Sequence, residues 1–439
     1  MSEQMKDMIL DKIRSIKEED NVYERGRVQR IRDYILEVKG LESAAYFDEV
    51  RIPNKAIGYV TAIQRSSVMV SIVKQYDNVY VNDEVIAMRK EFTAAYAPDS
   101  LGHVVDMFGV DQMNGRRFEN TVDLSVENKS VSIMDRRSVK RPLYTGVLGI
   151  DLLYPIGRGQ RQLIIGDKKT GKTQIGLDAI TNQKGCGVLC IYISIGKTKK
   201  NVKDIYQQLA RRGAMRHTIM LAASNDAKPP VLSLTPYVGL SIAEQYMYKG
   251  MDVLVVIDDL KRHADVYREI SLLSGKEPGR DAYPSDIFYT HSRLLEKGCQ
   301  HKDGGSITIL PIVETRGGDI TDYISTNIIS ITDGQIVLSR KNFDRGQKPA
   351  IEYGLSVSRL GGAVQEKEVK KLGSVVRREL LNYLETREIY ELANVDDMGE
   401  ALQRRLRLGQ QLLAQFNQYK FQGRDVAASL SVFEELLEG

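Results

Sequence analysis

The most constraining feature of the sequence is a glycine-rich octapeptide that follows a short apolar run. Residues 163–165 (LII) precede GDKKTGKT at 166–173. The octapeptide matches G-x-x-x-x-G-K-[ST], with a predicted strand before it and a predicted helix after it. Its glycines allow the backbone N–H groups to point at phosphate oxygens, and the first turn of the helix adds the positive end of its dipole. The pattern therefore predicts a nucleotide phosphate site.

Individual residues of this phosphate loop have distinct expected roles. Lys172 is expected to reach the β- and γ-phosphates of ATP or ADP, and the Thr173 hydroxyl to bind Mg²⁺. A carboxylate that completes the magnesium site is expected at the end of a later strand, where Asp258 ends an apolar run. The alternative for Asp258 is a helix cap. The predicted nucleotide ligands in the loop are Gly166, Asp167, Lys168, Lys169, Thr170, Gly171, Lys172 and Thr173.

Short apolar runs, rich in β-branched residues, recur between helical stretches at 163–165, 188–193, 253–257 and 307–310. Such runs are typical of strands buried on both faces of a parallel sheet. Before them, residues 68–72 and then Val79 and Val81 show strand-like alternation, separated by turn signals, which predicts a small β-barrel. After them, leucines at helical spacing predict a helical domain, for example Leu380 and Leu384.

The predicted fold class is therefore α/β, with three domains. An N-terminal β-barrel is followed by a central P-loop nucleotide-binding domain with a parallel sheet, and then by a C-terminal helical domain. The expected boundaries are an N-terminal helix at 1–23, the barrel at 24–90, the P-loop domain at 91–365 and a shortened helical domain at 366–439.

Composition excludes several classes of function. No apolar run approaches the roughly 18–20 residues that a membrane span needs. A net charge of +4, from 62 basic and 58 acidic residues, does not indicate a nucleic-acid binder. Three cysteines are too few for a disulfide framework and indicate reducing cytosol. The five histidines show no metal-ligand spacing.

Four further stretches resemble the alpha subunit of the F-type ATP synthase, in that family's order. They are PIGRGQR at 155–161, PGRDAYP at 278–284, ISITDGQ at 329–335 and GLSVSR at 354–359. The resemblance implies a RecA-like nucleotide domain in a hexamer that alternates with a catalytic beta-type subunit around a gamma-type shaft, with a peripheral stalk. It implies a position in the cytoplasm at the inner face of the cell membrane, where the chain meets the membrane only as part of the complex. It implies no nucleic-acid partner.

Lys197 indicates which role the chain has in such a ring. In the catalytic partner a glutamate follows the glycine after the strand next to the phosphate loop, and in the alpha family a glutamine stands there. Lysine is cationic at neutral pH and a poor base, and a general base is worth roughly 10²–10⁴ in rate. Lys197 could bind phosphate or point to solvent, but in both cases the chain's own site is expected to be non-catalytic. Lys169 also replaces a family glutamine.

Arg359 carries the catalytic role that the resemblance implies. It corresponds to an arginine finger that projects into the neighbour's site and stabilises charge on the transferring phosphoryl group. A planar guanidinium, always charged and with five donors, suits this task, and such fingers are worth roughly 10³–10⁵ in rate. The alternative is a structural arginine in a subunit interface.

The resemblance also implies assignments near the C-terminus. Gln415, Gln418 and Tyr419 correspond to the adenine-contacting segment, although the spacing has one extra residue. The acidic segment DDMGE at 396–400 is either a hairpin tip that meets the shaft or a solvated turn. Glu314, at the end of an apolar run, is expected to be structural.

Departures from the family suggest a specialised F-type-like motor. The helical domain ends soon after the adenine segment, the N-terminal helix is short, and Lys169 and Lys197 are unusual. Two other classes of function remain open. A self-sufficient homohexameric P-loop ATPase, of the export or translocase type, would need a carboxylate at position 197. A scaffold module would have an empty site.

Overall fold

The computed structural model describes residues 23–389 and 399–438. Residues 1–22 of the predicted N-terminal helix and 396–398 of the acidic tip lie outside the described residues. Two compact units divide the chain. The first comprises the described residues up to Thr93 together with 125–127 and 269–277, and the second comprises the remainder.

The first unit is built around a closed barrel of six strands in the order β1-β2-β5-β4-β3-β6. Val38, Val60 and Val85 are among the fully buried residues of its core. Because alternate side chains of a strand point to opposite faces, the apolar residues of each strand meet inside the barrel. The strands are β1 (Glu24–Arg32), β2 (Ile35–Lys39), β3 (Asp48–Ile52), β4 (Ala56–Ile63), β5 (Val68–Gln75) and β6 (Glu84–Glu91).

One detail of the barrel was predicted wrongly. The alternation of Val79 with Val81 suggested a strand, but these residues lie in the connection between β5 and β6. Val79 packs against the barrel core and Val81 is exposed. Only one of the two valines therefore contacts the core, and it belongs to a loop and not to a strand. Asn82 has a φ of 72°, a left-handed value that ends any extended run before β6 begins.

The second unit contains a large, mainly parallel sheet whose principal order is β20-β19-β13-β18-β16-β14-β15-β8. Strands β13, β14, β16 and β18 contain the four predicted apolar runs. Fully buried residues such as Ile165, Tyr192 and Val255 show that these strands are covered on both faces. Its strands are β8 (Val104–Val105), β10 (Arg136–Arg137), β13 (Leu163–Asp167), β14 (Val188–Lys197), β15 (Thr218–Ser224), β16 (Asp252–Asp258), β17 (Cys299–His301), β18 (Ser306–Thr315), β19 (Gly334–Leu338) and β20 (Val357–Ser358).

Two small sheets complete the strand inventory of the described residues. They pair β7 with β9 and β11 with β12. Their strands are β7 (Thr93–Tyr96), β9 (Val122–Ser125), β11 (Pro142–Leu143) and β12 (Ile156–Gly157).

The described helices belong to the second unit, apart from residues 269–273 of α5, which belong to the first unit. They are α1 (Leu148–Leu153), α2 (Lys172–Asn182), α3 (Lys199–Arg211), α4 (Pro229–Met247), α5 (Leu260–Leu273), α6 (Ile287–Leu295), α7 (Tyr323–Ile331), α8 (Arg340–Asp344), α9 (Lys367–Ile389), α10 (Glu400–Gln415) and α11 (Leu430–Glu438).

The C-terminal helices share the hydrophobic core of the sheet. Leu380 of α9, Leu412 of α10 and Phe433 of α11 are buried in one cluster with Tyr353 and Phe416. The predicted fold class is therefore confirmed: a barrel, a parallel-sheet nucleotide domain and terminal helices. Within the described parts of the chain, no helix combines the length and apolarity needed to cross a bilayer.

Two buried histidines give the second unit an expected pH dependence. His263 Nε2 lies 3.1 Å from the carbonyl oxygen of Ser233, which can only accept. His263 Nδ1, 3.2 Å from His291 Nε2, therefore accepts from His291. Burial lowers the pKa of His263 to about 4. Burial, together with the neighbouring His263, also lowers the pKa of His291.

We expect the free energy of unfolding to fall as the pH drops from 6.5 towards 4. In that window the unfolded chain binds protons at these histidines and the folded chain does not. Each histidine contributes a slope of about 1.4 kcal/mol per pH unit. Urea unfolding at several pH values would measure the slope, and the double variant His263→Gln/His291→Phe should reduce it. An equal slope in the variant would contradict the assignment.

Candidate nucleotide site

The phosphate loop connects β13 to α2, as the octapeptide predicts. Gly171 has a φ of 103°, which an L-residue rarely adopts, and α2 begins at the next residue. At Gly166 the loop passes so close to β19 that an added Cβ would collide with the carbonyl oxygen of Leu338. Gly171 is therefore required by its left-handed backbone conformation, and Gly166 by the close approach of β19.

Lys172 is buried at the start of α2. Its ammonium donates to the loop's own carbonyl at Asp167 (Nζ to O, 2.6 Å), so the side chain curls back over the loop. Burial lowers the pKa of Lys172, and the charges of nearby carboxylates oppose that effect. Those carboxylates belong to Glu314, Asp259, Asp258 and Asp167.

Around the tip of the loop, Lys168 and Lys169 are exposed, and Lys169 has a φ of 64°. The Asp167 carboxylate accepts from the Thr315 hydroxyl (2.7 Å) and from the backbone N–H of Gly318 (2.8 Å). These two bonds attach the loop to the end of β18 and to the segment that follows it.

Asp258 ends β16 and faces the phosphate loop. Its Oδ2 accepts from the Thr173 hydroxyl at 2.7 Å and from the Tyr192 hydroxyl at 2.7 Å. Burial and the Asp258 charge raise the pKa of Tyr192 well above its ordinary value, so the phenol is a donor. The helix-capping contact considered for Asp258 is made by Asp259, whose carboxylate accepts from the backbone N–H of Arg262 at 2.6 Å.

Lys197 contacts the other oxygen of the same carboxylate. Its ammonium lies 3.0 Å from Asp258 Oδ1, and the side chain of Asp258 is only 2% exposed. The two alternatives considered for Lys197, phosphate binding and solvent exposure, did not include this ion pair. The strand before Lys197 was expected next to the phosphate-loop strand. That expectation was wrong, because β16 and β18 separate β14 from β13.

These residues satisfy only part of what a magnesium site requires. Thr173 and Asp258 supply the oxygen atoms that Mg²⁺ prefers, and Mg²⁺ needs near-octahedral geometry with bonds of about 2.0–2.1 Å. The Lys197 ammonium, however, already provides a cation at Asp258 Oδ1. A free metal position on Asp258 would require Lys197 to move, so the residues as arranged do not fit the ion.

A cavity of about 350 Å³ adjoins the phosphate loop and suits a nucleobase. Tyr419 and Lys420 form one side of it, and the start of α2 forms another. The remaining wall was missed by the sequence analysis, since it comes from a segment with no recognisable motif. The residues that line this remaining wall of the cavity are Phe343, Lys348, Pro349 and Ala350.

The two glutamines predicted to hold adenine differ in position. Gln418 lines the cavity, but its amide nitrogen donates to the carbonyl oxygens of Gly146 (2.6 Å) and Gln422 (2.7 Å). Its side-chain oxygen accepts from the backbone N–H of Leu148 at 3.1 Å. Gln415 ends α10, is not among the lining residues, and accepts from Arg424 through its backbone oxygen.

Comparison with known proteins identifies the family. A model described as ATP synthase alpha/beta family, nucleotide-binding domain, matches residues 146–358. The ATP synthase subunit alpha of Pediococcus pentosaceus is 39% identical over 442 residues, which cover 100% of this chain and 87% of that protein. The chain belongs to the family of ATP synthase alpha subunits.

Other alpha subunits show similar sequence identity to this chain. That of Limosilactobacillus reuteri is 40% identical over 417 residues, which cover 94% of this chain and 81% of the relative. That of Ureaplasma parvum is 41% identical over 413 residues, and this alignment covers 93% of this chain and 51% of the relative. The resemblance predicted from the four sequence stretches is thus confirmed.

Arg359 lies apart from the phosphate loop in this alpha-family chain. It follows β20, and its side chain is exposed, with one contact from Nη1 to the carbonyl oxygen of Thr332 at 3.3 Å. Its backbone N–H donates to the carbonyl oxygen of Asp333 at 2.9 Å. The Asp333 carboxylate is bound by Arg161 at 2.7 Å. The backbone is therefore anchored while the guanidinium faces outwards.

Proposed function

We propose that this chain is the nucleotide-binding, non-catalytic alpha-type subunit of an F-type rotary ATPase ring. The observation that carries the proposal is Lys197, a cation at the position where hydrolysis requires a carboxylate. ATP or ADP is bound by the phosphate loop, with its base in the cavity beside Tyr419. The Mg²⁺ expected at Thr173 and Asp258 is not part of this proposal, because the Lys197 ammonium already contacts Asp258 Oδ1.

The catalytic contribution of the chain is made in trans. Arg359 supplies an arginine finger to the adjacent beta-type subunit. Its outward-facing guanidinium supports this role, as does the anchoring of its backbone to Asp333. The charge of an arginine persists at any physiological pH, so it needs no activation to stabilise a phosphoryl transition state.

The proposed partners follow from the family. The chain alternates with a catalytic beta-type subunit in a hexamer around a gamma-type shaft, with a peripheral stalk, and lies in the cytoplasm at the inner face of the cell membrane. Lys169 and Lys197 support a specialised motor rather than the housekeeping synthase. Purification of the native complex tests this point, and the presence of the standard proton-channel and stalk subunits would exclude it.

We expect the purified chain to retain about one nucleotide and to show only background ATP turnover. Lys172→Ala should weaken ATP binding roughly 10- to 100-fold, since it removes charge-assisted hydrogen bonds to phosphate. Equilibrium dialysis with labelled ATP measures the binding. Lys184→Ala, at an exposed lysine beyond α2, is the matched control and should bind normally.

Two outcomes would favour the competing functions. Brisk turnover by the chain alone would indicate a self-sufficient homohexameric ATPase, in which a carboxylate such as that of Glu314, at the end of β18, replaces the missing base. Failure of the wild-type chain to bind any nucleotide would indicate a scaffold module.

A further inference from the structure

We propose that the Lys197 ammonium replaces magnesium as the resident cation of this nucleotide site, so that ATP or ADP binds with little dependence on the metal. This inference rests on the proposed function, because it presupposes a bound nucleotide. It concerns the same site but adds a property that the family relationship does not supply, because it depends on the contact between Lys197 and Asp258 in this chain.

The first argument is the occupation of Asp258. One carboxylate oxygen accepts from the hydroxyls of Thr173 and Tyr192, both at 2.7 Å, and the other faces Lys197 Nζ at 3.0 Å. Asp258 is buried, so its negative charge requires a nearby cation or hydrogen bonds. Lys197 supplies that cation from within the chain.

The second argument is that the backbone of Lys197 is fixed by a paired strand before it and by a helix that begins directly after it. It is the last residue of β14, whose pairing with β16 sets Ser194 opposite Asp258. Its pairing with Ser224 of β15 extends the strand through position 197 itself. The next residue, Thr198, caps α3 by accepting from the backbone N–H of Asn201. The lysine side chain therefore starts from a fixed backbone and is only 22% exposed.

The third argument is the chemistry of the ammonium group. Lysine is a compact point charge with three N–H donors. The contact with Asp258 uses one donor, and the other two can meet phosphate oxygens held by the adjacent loop. A divalent ion on Asp258 would lie within contact distance of Lys197, where two cations repel. Metal and ammonium therefore compete for one position.

The test compares nucleotide binding with and without magnesium in the full-length chain. Equilibrium dialysis with labelled ATP is performed in excess Mg²⁺ and in EDTA. The wild-type Kd should change by less than about threefold between the two conditions. For Lys197→Gln, binding in EDTA should be weaker than in Mg²⁺ by roughly 10- to 100-fold, because the variant lacks the cation paired with Asp258 and the added metal can replace it.

Lys199→Gln is the matched control. It removes the same charge two residues further on, from a lysine that pairs with the exposed Asp226 at 2.8 Å, and it should behave like the wild type. A second measurement counts Mn²⁺ retained per nucleotide after gel filtration in Mn²⁺. The wild type should retain well below one ion, and Lys197→Gln should retain about one.

The outcomes separate the two proposals. If EDTA weakens ATP binding to the wild type as strongly as to Lys197→Gln, the inference is overturned and the proposed function stands. If the wild type binds no nucleotide in either condition, both fail. The wild-type comparison needs no variant, so it decides the question even if Lys197→Gln does not fold.

Discussion

Arg359→Ala is expected to lower the ATPase kcat of a ring reconstituted with the catalytic beta-type subunit by roughly 10³-fold or more. In the proposed role, the guanidinium stabilises charge formed only in the transition state, so its removal should lower kcat much more than it raises KM. Steady-state ATPase assays of the assembled ring measure both parameters. Nucleotide retention by this chain should be unchanged, since Arg359 is not among the residues that line the cavity.

Two further variants make this result specific. Arg359→Lys retains the charge but loses the planar fork, so it should recover only part of the rate. Arg378→Ala removes another exposed arginine, paired with Glu379 at 3.2 Å on α9, and should leave kcat unchanged. If Arg359→Ala rings hydrolysed ATP at the wild-type rate, Arg359 would be a structural residue and not a finger.

Lys197 and Arg359 lie in separate parts of the second unit, as the proposed division of roles requires. Lys197 lies at the carboxyl edge of the sheet, within its own nucleotide site, where it neutralises Asp258. Arg359 projects from the second unit at the end of β20. Under the proposed function, the chain's own site lacks a carboxylate at position 197, and Arg359 acts only in the site of a neighbouring subunit.

The parts of the site that are encoded locally could be predicted from the sequence. The loop at 166–173 is specified by its own glycines, which the backbone requires at Gly166 and Gly171. Asp258 was expected near the loop because it ends a later apolar run, where a carboxylate completes the site. The structure brings it within 2.7 Å of Thr173.

The remaining features depend on contacts between distant parts of the chain. The ion pair of Lys197 with Asp258 follows from the register of β14 with β16, which no local pattern reveals. Tyr192 looked like an ordinary residue of a buried strand, yet its hydroxyl binds Asp258. The cavity wall around Pro349 comes from an irregular segment, whose position is set by tertiary packing and not by periodicity.

Lys297→Met is expected to destabilise the full-length chain by about 3–5 kcal/mol. Lys297 and Glu244 form an ion pair at 2.8 Å in which both side chains are only 2% exposed. Removing the lysine leaves a buried carboxylate whose remaining contact to Oε2 is the Asn128 amide at 3.1 Å. Urea unfolding followed by circular dichroism should show a lower midpoint for the variant.

The double variant Lys297→Met/Glu244→Leu separates loss of a charge partner from loss of packing. Because it removes both charges, it should regain most of the lost stability, since a buried ion pair and an apolar pair of similar volume are often close in free energy. Lys341→Met, at an exposed lysine paired with Glu388 at 3.1 Å, is the control and should cost less than about 1 kcal/mol. If the double variant were as unstable as Lys297→Met alone, the defect would lie in packing and not in an uncompensated charge.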